Sequence, residues 1–126
     1  MSTRFSLATV IAGVVLLGNH AALAEGDAAA GEKVFRKCKA CHSVEAGKNK
    51  VGPSLHGVIG RDAGAEEGFK YSDAMKESGI VWDEESLDAY LKKPKELVPG
   101  TRMAFPGLKD EQDRLDVIAY LKEASQ

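Results

Sequence analysis

The pentapeptide CKACH, Cys38 to His42, contains both cysteines of the chain and places a histidine directly after the second one. On a helix, residues three and four positions apart lie on one face, so these three side chains can converge on one object. A C-x-x-C pair occurs in disulfides, zinc sites, redox-active dithiols and covalent haem attachment sites. The rest of the sequence distinguishes among these four chemistries.

Three of the four explain only part of the motif. A disulfide between Cys38 and Cys41 would close a very small loop and leave His42 without a role. A thioredoxin-like dithiol sits beside a βαβ pattern, and no strand pattern is visible in this sequence. A closed zinc site needs four ligands. The motif offers three, and His56 lies in a loop, LHGV, where an imidazole is more often structural or exposed.

Covalent haem attachment accounts for every element of the motif. The two thiols add to the two vinyl groups of one porphyrin, and the residue that follows, His42, is carried beneath the iron as its proximal ligand. The sequence therefore predicts one haem c, covalently bound through Cys38 and Cys41, in a cavity that these residues line together with the distal ligand.

The distal ligand determines what a haem protein does. Apart from His42, the chain after residue 24 offers His56, Met75 and Met103. Met75 lies in a predicted short helix, where methionine commonly fills a core. Met103 lies in VPGTRMAFPG, a loop that its prolines stiffen by fixing φ. Met103 is therefore the predicted distal ligand, and iron held by His42 and Met103 leaves no position for a substrate.

Short helices and long loops must position these residues. From Val44 to Phe69 the chain is rich in glycine and lysine and has neither helical nor strand periodicity, and the segment that contains Met103 is also mostly loop. A long ordered loop suits a chain that wraps a large ligand. The fold class is therefore all-α. Four helices are predicted from capping residues and apolar spacing, beginning after Asp27, Ser72, Asp83 and Asp110.

The first 24 residues have the composition of a signal peptide. They combine Arg4, an apolar run and a terminal Ala-Leu-Ala, so we expect cleavage before Glu25, export to the periplasm and a mature domain of residues 25–126. No second apolar run follows, so no stable membrane insertion is expected after cleavage. The chain has 17 basic and 19 acidic side chains, and removal of Arg4 leaves a formal charge of −3. This charge argues against a nucleic-acid partner, which would call for a strongly basic face.

The chain resembles class I cytochromes c, and most closely the bacterial cytochromes c2, from about Gly26 to Ala124. The resemblance implies the class I cytochrome c fold, in which helices and long ordered loops wrap one covalent haem, in a monomeric protein. The segments that carry it are GEKVFRKCKACH, KVGPSLHGVIGR, FKYSDA, GIVWDEESLDAYL, PGTRMAFPG and DVIAYLK.

The same resemblance implies roles for residues outside the motif. The Pro53 carbonyl should accept the free N–H of the proximal imidazole, Tyr90 should lie beside the Met103 sulfur, and Phe105 should cover the haem near its exposed edge. Gly31 should permit a close crossing of the terminal helices at Phe35 and Tyr120. The residues expected near the buried haem propionate are Arg61, Tyr71, Trp82 and Thr101.

Two positions depart from the family pattern. Mitochondrial relatives have a structural histidine shortly before the Gly-Pro pair, where this chain has Asn49, so His56 is not that histidine and has no assigned role. Met75 stands where the family commonly has asparagine, which removes an amide donor from the haem pocket.

The predicted function is one-electron transfer without enzymatic catalysis. By resemblance, a cytochrome bc1-type complex is the donor, and an oxidase, a photosynthetic reaction centre or a periplasmic reductase is the acceptor. The alternatives are a haem peroxidase and a ligand-sensing haem domain, which both need an open or displaceable distal position. A docking ring of basic residues against an acidic partner is predicted from Arg36, Lys39, Lys50, Lys95, Arg102 and Lys109.

Overall fold

The computed structural model describes Gly13 and residues 25–126 of the chain. The predicted signal peptide, residues 1–24, otherwise lies outside the described residues. No helix in the described part has the length and apolarity needed to cross a membrane. Helices and irregular segments make up this part, which agrees with the all-α prediction. Its helices are α1 (Ala28–Phe35), α2 (Asp73–Lys76), α3 (Glu84–Lys92), α4 (Pro94–Leu97) and α5 (Glu111–Ala124).

Helix α1 begins at a side-chain cap and ends before the CKACH motif. The Asp27 carboxylate accepts hydrogen bonds from the backbone N–H groups of Ala29 and Ala30, at 2.8 and 3.1 Å. The motif was expected on a regular helix, but it lies in a series of turns after Phe35. These turns nevertheless keep helical spacing, because the N–H groups of Cys41 and His42 both bond to the Cys38 carbonyl, at 3.1 and 2.8 Å.

Helices α1 and α5 cross at a glycine, as the family resemblance implied. A β-carbon added to Gly31 would overlap the backbone of Asp116 and lie 2.8 Å from the β-carbon of Tyr120. Only glycine permits this approach, which brings the rings of Phe35 and Tyr120 to a centroid distance of 5.2 Å. The crossing seals one side of the core, whose fully or nearly buried members include Phe35, Val117, Ile118 and Leu121.

Helix α3 begins with a reciprocal cap and is followed directly by α4. Asp83 and Ser86 bond to each other's backbone N–H groups at 2.8 and 2.9 Å. The segment from Lys95 was expected to be mostly loop, but its start forms the short helix α4. Pro94 occupies the first helical position, where its missing N–H costs no hydrogen bond.

Two distant irregular segments pair through their backbones. Asp62 and Val81 form an isolated antiparallel β-bridge. Flanking hydrogen bonds run from Trp82 N–H to the Arg61 carbonyl at 2.9 Å and from Ala63 N–H to the Ile80 carbonyl at 2.8 Å. This pairing fixes Arg61 and Trp82 next to each other although 20 positions separate them in the sequence.

Candidate haem-binding site

The two cysteines are half-buried and are not joined by a disulfide. Burial raises the pKa of the Cys38 thiol, and the neighbouring Cys41 adds to the effect. A redox-active C-x-x-C pair has the opposite property, a lowered thiol pKa. The structure therefore gives no support to the dithiol alternative and leaves both sulfurs available for thioether bonds.

The imidazole of His42 is held in one tautomer. Its Nδ1 lies 2.7 Å from the Pro53 carbonyl oxygen. A carbonyl can only accept, so Nδ1 must carry the proton and Nε2 must present its lone pair. Burial lowers the pKa of His42, with the Pro53 hydrogen bond opposing the effect, so the ring is neutral near pH 7. A neutral imidazole oriented by such a bond is the usual form of a histidine that binds a metal.

The ring of His42 lies flat against Gly52. A β-carbon at position 52 would overlap the imidazole and come within 2.8 Å of both of its nitrogens. The backbone of Gly52 is tied to the motif itself, because its N–H bonds to the Cys41 carbonyl at 2.8 Å. The Gly-Pro pair thus has two functions: glycine makes room for the ring, and proline supplies the acceptor.

Asn49 joins two loops at the place where mitochondrial relatives have a histidine. Its amide oxygen accepts from the Ser54 N–H at 2.8 Å, and its amide nitrogen donates to the Glu67 carbonyl at 3.0 Å. The segment that holds His42 is therefore connected to the segment that follows Arg61. Of the two positions that depart from the family pattern, this one makes a cross-loop link.

The side chain of Arg61 is largely buried and has one buried donor without a partner within the described residues. Its Nη1 donates to the Ser54 carbonyl at 3.0 Å, the His56 carbonyl at 3.1 Å and the Glu66 carboxylate at 2.9 Å. Its Nε is buried and makes no hydrogen bond within the described residues. A buried donor without a partner is costly, so this position favours an anionic acceptor such as a haem propionate.

Tyr71 lies in the same cluster as Arg61. Its hydroxyl oxygen accepts from the Glu66 N–H at 3.2 Å, and its ring packs edge-on against Phe69 at a centroid distance of 4.9 Å. Burial raises the pKa of Tyr71, so the hydroxyl keeps its proton and remains a donor. Arg61 and Tyr71 can therefore both donate hydrogen bonds to an anion.

A continuous chain of contacts links Trp82 to Met103. The rings of Trp82 and Tyr90 lie 5.0 Å apart, and the hydroxyls of Tyr90 and Thr101 lie 2.7 Å apart. The Thr101 oxygen also accepts a long bond, 3.4 Å, from the Met103 N–H. If Tyr90 donates to Thr101, the Thr101 hydroxyl proton is free for another acceptor, which is compatible with its predicted position near the propionate.

The loop that contains Met103 is fixed at its two ends. Val98 N–H bonds to the Pro94 carbonyl at 3.0 Å, and Leu108 N–H bonds to the Leu91 carbonyl at 2.7 Å. A β-carbon at Gly107, which has a φ of 113°, would overlap the Lys92 carbonyl. Hydrogen bonds therefore attach one end of the loop to α4 and the other end to the C-terminal end of α3.

Arg114 reinforces this attachment, and the sequence analysis did not identify it. It is buried, donates to the carbonyls of Leu108 and Lys109 at 2.8 and 3.0 Å, and pairs with Asp88 of α3 at 2.7 Å. Its spacing could have indicated its burial, because Arg114 lies four residues before Ile118 and therefore on the apolar face of α5.

The other singled-out residues have ordinary packing environments. The Nδ1 of His56 lies 3.3 Å from the Val44 carbonyl, which occupies that ring nitrogen. Met75, Met103 and Phe105 are half-buried against the core.

The expected cavity lined by Cys38, Cys41, His42 and Met103 is not one of the two described cavities. The larger, about 590 Å³, is lined by Gly68, Phe69, Lys70, Tyr71, Asp73, Lys76 and Arg102, and the smaller, about 330 Å³, lies beside α3 and α4.

Comparisons with known proteins show the family of the chain. A family model for cytochrome c matches residues 28–125. The chain is 54% identical to cytochrome c2 of Rhodomicrobium vannielii over 86% of this chain and 88% of that protein. It is 50% identical to cytochrome c-554 of Methylosinus trichosporium over 96% and 91% of the two chains. Its fold matches cytochrome cH from Methylobacterium extorquens with a TM-score of 0.73 and 54% identity, covering 77% of this chain and 98% of that one.

The arrangement fits a haem on three counts: two free thiols in turns of helical spacing, a neutral imidazole whose Nδ1 is held by the Pro53 carbonyl, and a buried arginine donor without a partner within the described residues. The chain therefore belongs to the cytochrome c family: it is a class I cytochrome c of the cytochrome c2 type, an electron carrier that holds one haem c covalently through Cys38 and Cys41.

Proposed function

We propose that this protein is a periplasmic one-electron carrier whose haem iron has His42 and Met103 as axial ligands. The observation that carries the proposal is the geometry of His42. Its ring is fixed by the 2.7 Å contact with the Pro53 carbonyl and by contact with Gly52, and its remaining nitrogen is available to a metal. Met103 is the proposed partner because its loop is anchored at both ends and stands next to the Tyr90–Thr101 pair.

The residues of the chain act by holding and shielding the group. A bound haem c supplies a one-electron iron couple. His42 and Met103 would hold the iron in both oxidation states, so little would have to move when an electron passes. Arg61, Tyr71 and Thr101 would supply donors to a propionate, and Trp82, which packs on Tyr90, would lie on the same side. Half-buried apolar residues that pack on the core and can exclude water from the ring include Leu55, Ile59, Ile80 and Phe105.

The proposal includes export of the protein to the periplasm. Residues 1–24 are proposed as a signal peptide that is removed, and residues 25–126 as the mature monohaem domain. The composition of the first 24 residues supports it. Mass spectrometry of protein recovered from the periplasm tests it: the expected mass is that of residues 25–126 plus one haem, and a mass that includes residues 1–24 contradicts cleavage.

The proposed partners are a cytochrome bc1-type donor and an oxidase, a photosynthetic reaction centre or a periplasmic reductase as acceptor. The surface proposed to meet them is the docking ring, Arg36, Lys39, Lys50, Lys95, Arg102 and Lys109. All six side chains are exposed and none forms an ion pair within the described residues. By contrast, Lys48, Lys76 and Lys93 pair with acids on their own segments.

The docking ring predicts that added salt slows electron transfer to an acidic partner, because screening weakens long-range steering. Stopped-flow rates at several ionic strengths measure this. The variant Lys39→Gln should weaken the salt dependence, and Lys48→Gln, which alters a lysine already paired with Glu45, serves as the control. Equal salt dependence in both variants and the wild type would contradict a role of the docking ring in steering the partner.

Optical spectroscopy with a redox titration tests the ligand assignment. Ferric wild-type protein should show the weak long-wavelength band of methionine-ligated haem and a single reversible one-electron couple. Met103→Ala should abolish that band while covalent haem remains, whereas the control Met75→Ala should retain it. A band that persists in Met103→Ala would reject Met103, and high-spin iron in the wild type would favour the peroxidase or ligand-sensing alternatives.

A further inference from the structure

Glu66 is the acidic residue that contacts Arg61, and both side chains are largely buried. Their charged atoms lie 2.9 Å apart, and the two side chains are 14% and 16% exposed. The other ion pairs on irregular or short segments, such as Lys48 with Glu45, are more than half exposed. Because solvent screens exposed pairs strongly, the contact between Arg61 and Glu66 has more electrostatic weight than these exposed pairs.

The hydrogen bonds of Arg61 show how Glu66 affects it. Nη1 carries two hydrogens, and Glu66 shares them with the carbonyls of Ser54 and His56. The buried Nε is left for a further acceptor. Glu66 is itself fixed, since its backbone N–H donates to the Tyr71 hydroxyl at 3.2 Å. The carboxylate therefore belongs to the cluster proposed to receive the haem propionate.

We propose that Glu66 is a positioning residue that partly neutralises Arg61 and thereby lowers the reduction potential of the haem. This inference rests on the proposed function, because it assumes that a haem propionate meets the Nε side of Arg61. A carboxylate near the haem favours the ferric state, which carries one more positive charge. The same charge offsets part of the positive charge of Arg61 that would otherwise balance the propionate, so the potential is lower with Glu66 than without it.

Glu67, the next residue, provides a matched control. It has the same charge and lies on the same loop, but its side chain is exposed, and its contact with Asn49 goes through its backbone carbonyl. The variant Glu67→Gln therefore removes one negative charge from nearly the same place without touching Arg61. Glu66→Gln removes the charge but keeps the size of the side chain and an amide oxygen that can still accept from Arg61.

The test compares reduction potentials of the wild type, Glu66→Gln, Glu67→Gln and Glu66→Asp as mature holoproteins. At a fixed solution potential, Glu66→Gln should raise the ratio of ferrous to ferric protein about threefold, equivalent to about 28 mV upward for one electron. Glu66→Asp keeps the charge and should stay near the wild type, and Glu67→Gln should shift much less. The free energy of unfolding, measured with denaturant, gives a second readout.

A purely structural role for Glu66 predicts a different result. Glu66→Gln would then lose stability while its potential stayed equal to that of the wild type or of Glu67→Gln, and this outcome would overturn the inference while leaving the proposed function intact. A wild type without a reversible haem couple would overturn both. A potential that rises in Glu66→Gln and returns in Glu66→Asp supports the inference even if both variants unfold more easily.

Discussion

The two segments that supply the proposed iron ligands are held in opposite ways. In the proximal segment, residues 38–53, the bonds around His42 are local: His42 N–H to Cys38, Gly52 N–H to Cys41, and the His42 ring to Pro53. In the distal segment, residues 98–108, the backbone is held mainly from outside, by carbonyls of α3 and α4 at its ends and by Arg114. The backbone around His42 is therefore held mainly by bonds within the proximal segment, whereas the distal segment is held mainly by bonds from other elements to its two ends.

This contrast has a consequence for ligand exchange. A segment with few internal bonds opens at a lower free-energy cost than one that is cross-linked along its length. We therefore expect the bond from Met103 to iron to be lost under milder conditions than the bond from His42. Three substitutions test the comparison, and each acts on only one of the two segments.

The largest effect is expected for Gly52→Ala in the proximal segment. The new β-carbon overlaps the His42 ring, so the imidazole must leave its place between Gly52 and the Pro53 carbonyl. Overpacking of this kind costs about 3 kcal/mol or more when the neighbours cannot move. Spectra should show loss of low-spin haem with a much lower yield of holoprotein.

The control is Gly47→Ala. Gly47 also lies in the proximal segment and has nothing within 4 Å of an added β-carbon, but its φ is 70°, so this variant reports backbone strain alone. If Gly47→Ala perturbs the haem as much as Gly52→Ala does, contact with the His42 ring is not the cause.

An intermediate effect is expected for Gly107→Ala in the distal segment. Its β-carbon overlaps the Lys92 carbonyl and its φ is 113°, so the loop must detach from α3, at a cost of about 2–3 kcal/mol. The methionine band should weaken or vanish while covalent haem and histidine ligation remain. Gly100→Ala, with a similar φ of 91° but only a 3.1 Å approach to the Ala74 side chain, should retain more of the band. Simultaneous loss of both ligands would contradict the comparison.

The smallest effect is expected for Tyr90→Phe, which removes the 2.7 Å bond to Thr101 and should cost about 1 kcal/mol near pH 7. Burial raises the pKa of Tyr90 above 10.0, its ordinary value. As pH rises past 10, the unfolded chain releases this proton before the folded chain does, so the stability of the wild type falls. Denaturant titrations from pH 8 to 11 should show a shallower alkaline loss in Tyr90→Phe. An unchanged alkaline slope would mean that Tyr90 does not contribute to it.

The proximal segment was largely predictable from the sequence because its determinants are close together. Cys38, Cys41 and His42 keep helical spacing even outside a regular helix, and the Gly-Pro pair lies within eleven residues of the histidine. Short separations of this kind leave few possible arrangements, and the family resemblance supplied the role expected for Pro53.

The distal segment and the propionate cluster were less predictable because their geometry depends on distant contacts. Met103 could be named from its loop, but its anchoring by Arg114 needs α3, α5 and the loop together. The β-bridge that places Arg61 beside Trp82 could not be predicted, because the sequence around it lacks the alternation of apolar and polar residues that indicates a strand. Glu66 looked like one of two adjacent acids, and only the fold shows which of them faces Arg61.

Asn49 links the two loops through a carboxamide, a group that does not titrate. An imidazole at this place would gain a proton near pH 6.5 and would lose its ability to accept a hydrogen bond while keeping its ability to donate. A carboxamide both accepts and donates at any pH from mildly acidic to alkaline. The connection between the histidine-bearing loop and the loop of Glu66 and Glu67 should therefore persist in acid, where the corresponding link through a histidine would loosen.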